Sequence, residues 1–166
     1  MQKKEKLQEL ASLVQYLPFD GIVLKKSSSA PLVPDLDGSV SLYNPSTKKV
    51  HKIKLNKLIL FISSGRILQD GEKILHRNMQ EDDFRVQNLE VVDEDVYNLI
   101  REAYKNISYG IQVTMHRTDK LAYNLQWYED GVKRNRVIYD SSVANRMQVK
   151  LKLKYSKILT KYCVFD

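Results

Sequence analysis

The hydrophobic period of the chain changes at Gly110, and that change limits the folds open to it more than any other feature. Beyond it, Ile111, Val113 and Met115 alternate with Gln112, Thr114 and His116, and Tyr123, Leu125 and Trp127 alternate with Asn124, Gln126 and Tyr128. Alternation of period two marks strands with one buried face. Asp130-Gly131 then reads as a two-residue hairpin turn, because such turns need residues that tolerate positive φ. The third run, Val132 to Tyr139, sets Arg134 and Arg136 opposite Val137 and Tyr139. Asp140, Ser141 and Ser142 are N-cap residues for a long helix whose inner stripe is Val143, Met147, Leu151, Tyr155, Ile158 and Tyr162. A three-stranded antiparallel sheet packed on one long helix is expected over residues 109–166.

Residues 1–106 read as a second unit. Leu7, Leu10, Ala11 and Val14 at helical spacing predict an amphipathic helix over 3–16, stopped by Pro18 and Gly21. Gly21 to Leu24 is a candidate strand, and KKSSSAPLVPD an exposed loop. A hairpin follows, Gly38 to Tyr43 and Lys49 to Ile53 about the turn Asn44-Pro45-Ser46. Leu55 to Ser63 is an apolar helix, Gly71 to His76 a strand, and Phe84 to Val91 a mixed segment. Asp93, Glu94 and Asp95 open a helix with Val96, Leu99, Ile100 and Tyr104 inside, ending near Ile107. The fold class is α+β.

Composition excludes several classes. The chain has 166 residues, 43% hydrophobic and 28% charged, the balance of a globular protein. One cysteine builds no disulfide framework, and with three histidines it makes no four-ligand zinc site. Cys163 has no His/Asp set near it in sequence, so a thiol nucleophile is not expected. The longest apolar run, Leu58 to Ile62, is far short of a membrane span, and MQKKEKLQEL lacks a signal-peptide core. A cytoplasmic protein with no membrane partner is expected.

Charge is unevenly placed. Residues 1–106 hold 16 Lys and Arg against 15 Asp and Glu, whereas 107–166 hold 11 against 5, so nearly all of the net +7 lies in the last third. A surplus of one sign gathered in one region points to a polyanionic partner. Alternation places Gln112, Thr114, His116, Asn124, Gln126, Arg134 and Arg136 on the sheet face away from the helix, and Arg117 and Lys133 are further DNA-binding candidates. A narrow ribbon enters the DNA major groove, where Arg pairs with guanine and Asn or Gln with adenine, while flanking lysines hold phosphates. Double-stranded DNA is the expected partner. Five cations on phosphates would give a log K against log salt slope of about −4.5. A homodimer through the amino-terminal helix is the candidate assembly.

The segment GIQVTMHRTDKLAYNLQWYEDGVKRNRVIYDSSVANRMQVKLKLKY resembles the integrase-type three-stranded DNA-binding domain of plant ethylene-response factors and phage homing endonucleases. The likeness rests on strand spacing, Gly131, the Tyr139-Asp140 step and Ala144. Upstream, LHRNMQEDDFRVQNLEVV resembles the phage HNH homing endonuclease pattern, with KLNKLILFIS similar to that family's preceding helix. His76 falls on the general-base histidine, and Asn88-Leu89-Glu90 on the family's Asn-Leu-Glu step, twelve residues after His76. The resemblance implies a ββα-metal unit in residues 1–106 and metal-assisted phosphodiester hydrolysis by His76 with Mg²⁺.

The pattern breaks where metal would bind. Leu75 precedes the histidine, Asn78-Met79 stands for Asp-Gly, Asp82-Asp83-Phe84 for the Asn-rich turn, and Tyr97 near the late ligand. The metal-site expectation is therefore none, with Asp82 or Asp83 as residual candidates. His51 and His116 are expected at the surface or on DNA. The leading function is a sequence-specific DNA-binding repressor of homing-endonuclease descent with cleavage lost. A phage or mobile-element origin and a nucleoid-associated place in a bacterial host are what the resemblance implies. The alternatives are an active HNH endonuclease and a non-enzymatic RNA- or protein-binding module.

Overall fold

The computed structural model describes residues 2–117 and 121–164. The described residues form a mixed α+β structure of four α-helices and small antiparallel sheets, divided into two compact units, residues 1–94 and 95–166.

The first unit is built from hairpins. Helix α1 (Gln2–Ser12) is followed by strands β1 (Val14–Leu17) and β2 (Ile22–Lys25), paired antiparallel with Val14 opposite Lys25. The spacing alone expects α1 to run through Val14, but it stops at Ser12. Val14 is instead the inward residue of a strand, 3% exposed. The turn at Pro18 to Gly21 is close enough in sequence to fold Ile22-Val23 back onto Tyr16-Leu17, and the Gly21 N–H donates to the Leu17 carbonyl at 3.0 Å.

Strands β3 (Ser39–Asn44) and β4 (Lys49–Lys54) form the expected second hairpin. Val40 and Leu42 are turned inward by alternation, while Ser41 and Tyr43 are turned out. Helix α2 (Leu55–Ser64) buries Leu55, Leu58, Ile59 and Phe61 and ends at Gly65, whose φ of 66° suits glycine. Leu10, Val14, Val23, Leu32, Val40, Leu42, Leu58, Ile59 and Phe84 share one core. The third hairpin pairs β5 (Glu72–His76) with β6 (Leu89–Asp93), His76 opposite Leu89.

In the second unit, helix α3 (Glu94–Tyr109) precedes strands β7 (Gln112–Arg117), β8 (Leu121–Glu129) and β9 (Val132–Ile138), ordered β7-β8-β9, and helix α4 (Ser141–Tyr162). The boundary therefore falls before α3 and not at Gly110. A hydrogen-bonded side chain explains the shift. Asn106, 1% exposed, donates from Nδ2 to the Tyr128 carbonyl and accepts from the Tyr128 N–H, both at 2.8 Å. Tyr128 lies beyond the residues of β8 that β7 pairs, so the amide takes the place of a strand neighbour. The inner stripe of α3 is Ile100, Ala103 and Asn106, with Leu99 41% and Ile107 38% exposed at its margins.

Asp140 caps α4 as expected, accepting from the N–H groups of Ser142 at 2.7 Å and Val143 at 3.1 Å. The Ser142 hydroxyl, which also donates to this carboxylate at 2.7 Å, holds it below the usual range together with those two N–H bonds. Ala144, Tyr155 and Leu159 are the buried residues of α4, which contacts all three strands.

Candidate nucleic-acid interface

The register of the three-stranded sheet decides which side chains share a face. Gln112 pairs with Gln126 and Thr114 with Asn124 across β7 and β8, and Asn124 with Val137, Gln126 with Asn135 and Tyr128 with Lys133 across β8 and β9. These residues lie on one face. The other face carries Val113, Tyr123, Leu125, Trp127 and Ile138. Leu125 is fully buried and Ile138 8% exposed, and the Gln148 amide donates to the Ile111 carbonyl at 2.9 Å. That second face is the one α4 covers.

Gln112, Thr114, Lys133 and Asn135 are exposed on the open face, with Asn124, Gln126 and Tyr128 half-buried. Of the sequence-derived face, Gln112, Thr114, Asn124 and Gln126 lie on this side, and the register adds Lys133 to it. His116 and Arg117 lie in β7, opposite Ala122 and Leu121, but their side chains fall outside the described residues.

Arg134 and Arg136 require a correction. Arg134 is opposite Trp127 and Arg136 opposite Leu125, so both belong to the helix-side face, although they remain exposed. Asp130 and Gly131 both have positive φ, 54° and 73°, and this two-residue turn pairs Glu129 directly with Val132. That register buries Ile138 and leaves Val137 54% and Tyr139 70% exposed. A shift of one residue exchanges the faces of a strand, and the apolar residues of β9 sit at both parities. Asn135 is the residue that sequence reasoning missed, although the two-residue turn Asp130-Gly131 already sets it opposite Gln126.

Cations frame one end of the open face. Lys105 Nζ lies 3.6 Å from the centre of the Tyr128 ring, and Lys133 stands opposite Tyr128 on β9. On α4, Lys154 donates to Glu129 at 3.2 Å and holds that carboxyl below its ordinary range. The Asn124 Oδ1 is shielded and without a hydrogen-bond partner among the described residues.

In the first unit, His76 ends β5 and is 9% exposed. Its Nδ1 lies 3.2 Å from the Asp83 carbonyl, and its ring meets Phe84 edge to face, centroids 5.7 Å apart. Asn88 knits the same loop, accepting from the Asn78 N–H and donating to the Asp83 carbonyl, both at 2.9 Å. Asp83, a residual metal candidate, has both carboxylate oxygens engaged. Arg85 Nε donates to Oδ1 at 2.9 Å, and Arg85 Nη2 and Asn78 donate to Oδ2 at 2.5 and 2.7 Å. The Arg85 hydrogen bonds bring its carboxyl down to about 2. Among the described residues, no three His, Cys, Asp or Glu side chains converge on a common point.

Burial lowers the His76 pKa below 6.5, against the Asp83 and Gln80 carbonyls that favour its charged form. The unfolded chain then binds the proton more readily, so stability rises with pH across the window below 6.5. Acidification from about pH 7.5 to about pH 5.5 should lower the melting temperature, and His76→Gln should flatten that dependence. A melting temperature that rose on acidification would mean that the folded loop prefers imidazolium. Asp83 acts at lower pH, its contribution being present above 3.8 and lost as pH falls through about 2.

No family model, curated protein or solved structure matches the chain. No helix among the described residues is long and apolar enough to cross a membrane.

Proposed function

We propose that the chain is a sequence-specific double-stranded DNA-binding protein that acts by occupying its site, as a repressor does, with His76 serving the loop it packs in. The observation that carries this reading is the row Gln112, Thr114, Asn124, Gln126 and Asn135 on the sheet face opposite α4. Amide side chains on a rigid ribbon pair bidentately with adenine in the major groove. Because Arg134 and Arg136 belong to the other face, their natural reach is over the edge strand to phosphates, which positions the protein without reading bases. Descent from homing endonucleases rests on the resemblance of the sequence, as does an integrase-type arrangement of the second unit.

Selection of bound fragments from random duplex DNA tests the reading, and a site containing adenines within the contacted step is expected. Gln126→Ala should weaken binding to that site by about 1–3 kcal/mol and leave random duplex little changed. Arg136→Ala should weaken both alike. Equal losses for Gln126→Ala on both duplexes would show that the face does not read sequence. Four cations, Lys105, Lys133, Arg134 and Arg136, give an expected log–log salt slope of about −3.6, smaller in magnitude than −4.5 because most α4 lysines point away from the sheet. Cleavage of the selected duplex with Mg²⁺ or Mn²⁺, abolished by His76→Ala, would replace repression by hydrolysis.

A further inference from the structure

Helix α4 carries apolar residues on two sides. Tyr155 and Leu159 face the sheet, whereas Val149 and Leu153, one turn apart, are 55% and 56% exposed. At about 100° per residue, positions two apart fall about 200° round the helix, so Val149 and Leu153 point away from the side of Leu151 and Tyr155. With Arg146, Lys150 and Lys157 they line a shallow depression that continues past Ser156 and Thr160 to Lys161.

The charge on this helix is of one sign. Residues 141–162 contain six Lys and Arg and no Asp or Glu. Arg146 with Lys150 and Lys157 with Lys161 are like-charge pairs at i,i+4, each destabilising by roughly 0.2–0.5 kcal/mol. A face kept only for solubility gains nothing from this spacing beside exposed Val and Leu. Negative charge laid along it would relieve the repulsion.

We propose that the outer face of α4 docks an acidic amphipathic helix of another protein. The apolar ridge of that helix covers Val149 and Leu153, and its carboxylates meet Arg146, Lys150, Lys157 and Lys161. Charge complementarity selects the occupant. A second copy brings the same positive face, a phosphate backbone offers no apolar row, and two aliphatic side chains without an aromatic are a thin membrane anchor. Anchors at i and i+4 are what helix-on-helix recognition uses.

The test uses the full chain and a labelled synthetic helical peptide with a leucine ridge flanked by glutamates. Its comparators are a scrambled peptide of equal composition, polyglutamate, random duplex DNA and vesicles of phosphatidylserine and phosphatidylcholine. The ridge peptide should bind at least about tenfold more tightly than the scrambled one. Val149→Ser with Leu153→Ser should cost about tenfold or more with helicity unchanged. Lys150→Glu with Lys157→Glu should abolish binding, and a lysine-flanked version of the peptide should restore it. DNA affinity and its salt slope should stay put in all these variants, which separates this surface from the sheet.

The proposal is overturned by a ridge-peptide Kd weaker than about 1 mM, by equal binding of ridge and scrambled peptides, or by indifference to the two serines. It is equally overturned if DNA, polyglutamate or vesicles displace the peptide as well as the unlabelled peptide does. Self-association abolished by the two serines would assign the face to a second copy and overturn it too.

Discussion

Asn106→Ala is expected to unfold much of the second unit's edge, at a cost of about 3 kcal/mol in urea denaturation. The amide satisfies the Tyr128 N–H and C=O together, at 2.8 Å each, from a position 1% exposed. Removing it strands the Tyr128 N–H, and a buried donor without a partner costs about 1–3 kcal/mol beyond the bond itself. The carbonyl fares better, because the Tyr155 hydroxyl also donates to it at 2.8 Å. Burial raises the Tyr155 pKa to about 12, so this phenol remains a donor at any working pH. Tyr155→Phe alone should therefore cost only about 1 kcal/mol. The double variant should lose more than the sum, since the carbonyl then has neither partner. Strict additivity would mean that water replaces the lost bonds.

Gly21→Ala should destabilise the first unit by several kcal/mol. A Cβ at residue 21 would stand 2.7 Å from the Arg85 backbone nitrogen and 2.9 Å from the Phe84 carbonyl carbon, distances that side-chain motion cannot relieve. The φ of 69° adds about 1 kcal/mol or more for a residue with a side chain. The Tyr16 hydroxyl donates to the Phe84 carbonyl at 2.7 Å nearby, so the β1–β2 hairpin and the His76 loop are seated on each other at this point. Gly38→Ala is the control, because no atom lies within 4 Å of its added Cβ although its φ is 72°. If the two substitutions cost the same, close packing at Gly21 contributes nothing and only backbone strain remains. Thermal unfolding of the full chain distinguishes these outcomes.

The parts of the fold legible in the sequence are those where one local rule acts without competition. Asp140 with two serines behind it, Asp130-Gly131 between alternating runs, and the apolar stretch Leu55 to Ser63 each specify their element through nearby chemistry. The misread elements are those in which two rules compete. Val14 satisfies both a helical stripe and a short strand, and the tight turn that follows resolves it. In β9, Val137, Ile138 and Tyr139 are all apolar or aromatic, so alternation cannot choose between them, and the register inherited from the turn does. Asn106 was hidden for a different reason. A polar residue among Leu99, Ile100 and Tyr104 reads as solvent-facing until the strand end it satisfies is known.

The same competition shaped the candidate interface. The polar side of β7 and β8 was readable, because apolar and polar residues alternate there cleanly. Alternation points the β9 arginines to the open face, and the one-residue phase of that strand puts them on the other. The hydrogen bonding that closes the histidine loop was not readable in the sequence. The loop's carboxylate is committed to Arg85 and Asn78, and that commitment follows from three-dimensional closure between residues 78 and 85.

Each strand pair in the first unit joins consecutive strands, β1 with β2, β3 with β4 and β5 with β6, and among the described residues no ladder links one hairpin to the next. Such a body has little long-distance backbone pairing to arrange, and chains of low contact order assemble quickly. Its hairpins can zip separately, each within about ten microseconds. The slow event is then the meeting of residues 16 and 21 with residues 84 and 85, so that the last contact made on the way in is the first expected to open on the way out.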